Sequence, residues 1–139
     1  MSGSGSRLPR SKNRPMPITF TIDPALGRVN VRMEGDVSAA DLRNYMIAMF
    51  SDPRFTPGLN SLTVLQGMNA RMTSSELMQY QSWRKLQPAM GKIAIVATTD
   101  AEYGVARMFE LATDGVRRSD IRVFRKLEDA QAWLELPGA

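Results

Sequence analysis

Residues 91 to 136, GKIAIVATTDAEYGVARMFELATDGVRRSDIRVFRKLEDAQAWLEL, constrain the fold more than any other stretch. Their apolar pattern switches from strand to helix twice without a break. Lys92 to Ala97 is a short apolar run of the kind buried on both faces of a sheet. Thr98-Thr99-Asp100 leads straight into a helix whose Val105, Met108, Phe109 and Ala112 share one face, with Gly115 as a C-terminal stop. Ile121 and Val123 mark another strand, and Leu127, Ala130, Trp133 and Leu134 another helix before Pro137. Such alternation implies parallel strands joined by right-handed crossovers.

The upstream half opens differently. Ile18, Phe20 and Ile22 alternate with Thr19 and Thr21, and Val29, Val31 and Met33 repeat that period of two. Asp23-Pro24-Ala25-Leu26-Gly27 has turn chemistry, so these strands form an antiparallel hairpin. Ser38 with Asp41 reads as a capping box, and Leu42, Tyr45, Met46, Met49 and Phe50 then make the stripe of an amphipathic helix. Leu62 to Leu65 reads as a covered strand closed by Gln66-Gly67. Thr73 with Glu76 opens a helix in which Leu77, Tyr80, Trp83 and Leu86 recur every three residues before Pro88. The expected class is α/β: a mixed five-stranded sheet that opens with an antiparallel hairpin, has parallel later strands and carries four covering helices.

Composition bounds the chemistry. The 139 residues, 43% apolar, suit one domain that buries roughly two-thirds of its unfolded surface. Of the +4 net charge, Arg7, Arg10, Lys12 and Arg14 lie in the first fifteen residues, which contain no acid. Residues 1–15 are expected to be a disordered basic tail, and residues 16–139 the single domain. The remainder has 14 basic and 14 acidic residues, so a nucleic-acid face has no support. No apolar run is long enough for stable membrane insertion, and a cytoplasmic location is the expectation. Histidine and cysteine are both absent. That removes Ser-His-acid and Cys-His catalysis and the usual zinc sites, so no catalytic residues, metal or cofactor are expected.

Several constellations are candidates for binding, each with a structural alternative. Thr98, Thr99 and Asp100 lie where a strand's carboxyl end meets a helix, the place where open α/β sheets bind ligands, although Thr99 with Glu102 also suits a capping box. Tyr103, Gly104 and Arg107 follow on the polar side of that helix. Arg107 could clamp an anion or pair with Glu110, and Gly104 suggests close packing or ligand approach. Ser74 and Ser75 stand at a helix start, where a phosphate would meet unpaired N–H groups, while Thr73 could simply cap the helix. Met46, Met49, Met68, Met72, Met78 and Met108 could line an apolar pocket or fill the core, and Tyr80 and Trp83 could form an exposed aromatic surface or be buried.

KIAIVATTDAEYGVARMFELA and IRVFRKLEDAQAWL, with Gly35-Asp36 and DPRFTPGLNSLTVLQGM, resemble the STAS/Sec14-type domains called SpoIIAA-like, over residues 17 to 136. The resemblance implies a mixed sheet covered by helices and a role in binding proteins or small apolar ligands rather than in chemistry. Family members often carry an acid where this chain has Val64. The regulatory antagonists carry a phosphorylated serine in an Asp-Ser-Ser-Gly-like turn, whereas Ser74 and Ser75 lack the flanking Asp and Gly. The leading expectation is a non-enzymatic regulatory module that docks a protein partner through its second or third helix, tuned by phosphate at Ser74 or Ser75. The alternative is a carrier of an apolar small molecule or lipid in a Met-rich pocket. An enzyme using Asp100, Tyr103 or Arg107 is the third reading, and open sheet edges would suit a homodimer.

Overall fold

The computed structural model describes residues 16–114 and 120–137. The elements run β1 (Ile18–Asp23), β2 (Arg28–Ser38), α1 (Ala39–Phe50), β3 (Asn60–Arg71), α2 (Ser74–Arg84), β4 (Lys92–Val96), α3 (Asp100–Asp114), β5 (Asp120–Phe124) and α4 (Leu127–Glu135). They form one five-stranded sheet in the order β1-β2-β3-β4-β5. β1 and β2 are antiparallel, with Phe20 opposite Val31, and each later neighbour is parallel. The expected mixed α/β architecture is therefore the observed one. The basic tail and the stop at Gly115 lie outside the described residues, and so does the side chain of Ala112.

Local chemistry explains the element ends. In the hairpin turn, Asp23 Oδ1 accepts from the N–H groups of Ala25 (3.1 Å) and Leu26 (3.3 Å), and Gly27 takes φ 62°. Ser38 and Asp41 form the capping box that starts α1, and Thr73 and Glu76 form the one that starts α2. Gly91 admits the close approach of the loop before β3, because a Cβ there would meet Gly58 O at 2.6 Å.

Because each parallel strand is laid beside the last, the three crossovers place α1, α2 and α3 on one face. α4 alone lies on the other. Strand alternation divides the residues accordingly. Val29, Val31, Met33, Leu65, Ile93 and Ile95 face the three helices, whereas Leu62, Ala94 and Val96 meet Ala130, Trp133 and Leu134 of α4. The Trp133 ring lies 5.6 Å from that of Phe124, and Lys92 and Arg122 stack on it at 5.3 and 5.2 Å. Lys92 Nζ also donates to the carbonyls of Trp133 (3.0 Å) and Leu136 (2.8 Å), closing the end of α4.

Three sequence expectations are corrected. Gly67 does not close β3: at φ 61° it sits in an irregularity of the β2–β3 pairing, beyond which the strand continues to Arg71. Leu86 is not on the inner face of α2 but lies past its end and is 82% exposed. At 100° per residue, nine residues carry Leu86 half a turn away from Leu77, while Gln81 and Arg84 return to its side. Met108 is 40% exposed, because Glu102, Val105, Ala106 and Phe109 supply the inward stripe of α3.

Candidate functional site

The three-helix face is not filled. α2 packs against α1 and looks at the sheet across a cavity of about 130 Å³. Its apolar wall includes Met33, Met46, Met68 and Met90 with Ile93, Ile95 and Phe109. Polar side chains converge on the same space. Ser61 and Thr63 come from β3, their hydroxyls 3.2 Å apart; Tyr45 comes from α1; Tyr80, Gln81 and Arg84 come from α2. Gln81 and Arg84 are both more than nine-tenths buried. Arg84 Nη1 donates to Pro88 O at 2.9 Å, and its guanidinium lies 5.5 Å from the Phe50 ring centre, which holds the group against the cavity wall.

The cavity's electrostatics follow from burial. Burial pushes the Tyr45 phenol well above its ordinary value, Tyr80 adds to the rise, and a hydrogen bond with Ser61 and the Arg84 charge oppose it. The Tyr80 phenol is pushed up to about 12 by burial, against the pull of Arg84. Both phenols therefore remain protonated at neutral pH.

Ser74, Ser75, Thr98, Thr99, Asp100, Tyr103, Gly104 and Arg107 do not line this cavity. Ser74 and Ser75 are exposed on the first turn of α2, beside a complete capping box in which Glu76 N–H donates to Thr73 Oγ1 (3.1 Å) and Thr73 N–H to Glu76 Oε1 (2.7 Å). Arg71 pairs with Asp36 at 3.2 Å. Thr98, Asp100 and Tyr103 are brought together by a residue that the sequence reading missed. Arg125 donates to Asp100 Oδ1 (2.9 Å) and Thr98 O (3.5 Å) and stacks 4.3 Å from the Tyr103 ring centre.

Thr99 and Glu102 exchange capping bonds, Glu102 N–H to Thr99 Oγ1 at 3.1 Å and Thr99 N–H to Glu102 Oε1 at 3.4 Å. Glu102 also accepts from Gly67 N–H across on β3. Burial works against its ionisation, yet the N–H groups of Gly67, Thr99 and Met68 outweigh that and hold its carboxyl below the usual range. Arg107 pairs with Glu110. A Cβ at Gly104 would meet nothing within 4 Å, so close packing does not explain that glycine.

Of the six methionines proposed as pocket lining, Met46 and Met68 do so. Met49 is fully buried elsewhere in the core, Met72 packs against it, and Met78 and Met108 are exposed. Tyr80 and Trp83 are half-buried with rings 5.9 Å apart. Arg43 stacks on Trp83 at 5.2 Å, and both rings line an outer groove between α1 and α2. Tyr80 thus borders that groove and the cavity alike.

Among the described residues no group of His, Cys, Asp or Glu could hold a metal ion, and no helix is long and apolar enough to cross a membrane. The family model described as SpoIIAA-like matches residues 28–135. No curated protein and no solved structure matches the chain.

Proposed function

Since the chain belongs to the SpoIIAA-like family, we propose that it is a non-enzymatic, cytoplasmic regulatory module of STAS type that docks a protein partner through α2. The observation that carries this reading is the apolar surface left exposed by α2. Its inner side carries Gln81 and Arg84, while Met78 stays 69% exposed within it and Leu86 is exposed just beyond its end. Apolar side chains that its own fold leaves exposed are available for another surface. Exposed Ser74 and Ser75 at its start would let a phosphate use the positive end of the helix, so modification there would tune docking. Affinity capture from the native host compares the wild type with Met78→Glu. Specific capture is expected to fall while the melting temperature holds, and undiminished capture would remove α2 from the docking surface. Phosphopeptide mapping of the same material tests the tuning, which unmodified Ser74 and Ser75 in every growth condition would exclude.

The cavity favours a second reading, a carrier of a small apolar molecule. Its wall of four methionines adapts to different shapes, and it lies between α2 and the sheet.

A further inference from the structure

We propose that the cavity beneath α2 takes a small neutral molecule, a single ring or branched chain of about six carbon atoms without a polar head group. The inference rests on the carrier reading and narrows it in size and in polarity.

Volume sets the size. About 130 Å³ is well below the roughly 300–1,000 Å³ of sites for drug-sized ligands. It is close to the apolar cavity of about 150 Å³ that accepts benzene. A long acyl chain exceeds this space.

Bonding within the wall sets the polarity. Ser61 and Thr63 hold each other at 3.2 Å, the Tyr45 hydroxyl lies 3.6 Å from Met49 Sδ, and Arg84 is tied to Pro88 O and to the Phe50 ring. Among the described residues, Arg28 Nε is the one wholly buried side-chain nitrogen or oxygen without a partner, and Arg28 is not in this wall. A polar head group entering the cavity would therefore exchange its hydrogen bonds to water for groups already engaged with one another. A water molecule, which needs several polar partners, is disfavoured for the same reason.

The apolar part of the wall suits such a body. Met33, Met46, Met68 and Met90 come from β2, α1, β3 and the loop before β4, so flexible thioether chains reach the space from four parts of the chain. Ile95 and Phe109 add rigid surface. An apolar space left unfilled costs stability in proportion to its volume, and an occupant of matching shape restores the lost contacts.

The test uses the full chain with toluene, phenol, benzoate and oleate, followed by calorimetry and by methionine-methyl NMR. Toluene is expected to bind, to raise the melting temperature and to shift the methyl signals of Met46 and Met68, while that of exposed Met78 stays in place. Phenol and benzoate are expected to bind at least about tenfold more weakly, and oleate not at all. Ala106→Leu puts a larger side chain into the wall and is expected to abolish toluene binding. Undiminished toluene binding by that folded variant, or shifts confined to Met78, would place the ligand elsewhere and overturn the proposal. Should the variant not fold, the methyl shifts of the wild type decide the location. Phenol or benzoate bound as tightly as toluene overturns the polarity limit and leaves the carrier reading standing, and tight oleate binding does the same for the size limit. No binding by any probe overturns the carrier reading as well.

Discussion

On one face of the sheet a nine-residue helix, α4, sets Trp133 against Ala94 and Ala130, neither of which keeps any exposed surface. On the other, three longer helices leave a cavity and enclose Ser61, Thr63, Gln81 and Arg84. One large ring between two alanines fills its space; four methionines and a set of polar groups do not. The same strands thus supply a face packed for stability and a face whose buried polar groups cost stability unless they are matched. On the second face those groups are matched within the fold, Ser61 by Thr63 and Arg84 by Pro88 O, and what sets it apart is the space they border.

Trp133→Ala should produce the largest effect, a loss of about 3–5 kcal/mol in urea denaturation followed by circular dichroism. A loss below about 1 kcal/mol would mean that the α4 face is no better packed than its counterpart. A matched pair comes next. Ala130→Leu adds atoms where none fit and should cost about 1–3 kcal/mol, whereas Val105→Ile adds one methylene beside the cavity and should gain up to about 0.8 kcal/mol. Shifts of the same sign and size would erase the contrast between the faces.

Glu102→Gln should cost about 1 kcal/mol at neutral pH, and it shows how the helical face is tied by polar bonds. The folded carboxyl titrates below its ordinary value, so its stabilisation is complete above the usual carboxylate range, near pH 4.3, and is lost as pH falls through the lowered folded value. The variant should therefore lose less stability than the wild type on acidification. Identical acid limbs would mean that Glu102 contributes nothing through its charge.

The sequence reading succeeded where a local rule decides structure. Ser38 with Asp41 and Thr73 with Glu76 satisfied their helix starts within four residues, and the stripe from Leu42 to Phe50 is the one buried. It failed where a partner lies far along the chain. Gly67 looked like a strand end because nothing nearby revealed that Glu102, 35 residues on, would accept its N–H. Arg125, 25 residues after Asp100, could not be tied to it by spacing. The cavity was partly legible. A 3.6-residue period places Gln81 and Arg84 beside Leu77, and Thr63 interrupts an apolar strand. Their convergence with Tyr45 and Ser61 depends on three crossovers that no local pattern encodes.

The chain's two tryptophans sit on opposite sides of the sheet, Trp83 under Arg43 and Trp133 between Lys92 and Arg122. Each layer consequently carries its own lamp. Trp133→Phe leaves emission that belongs to the α1–α2 contact, Trp83→Phe leaves emission that belongs to α4, and the two layers can be timed separately during one unfolding experiment.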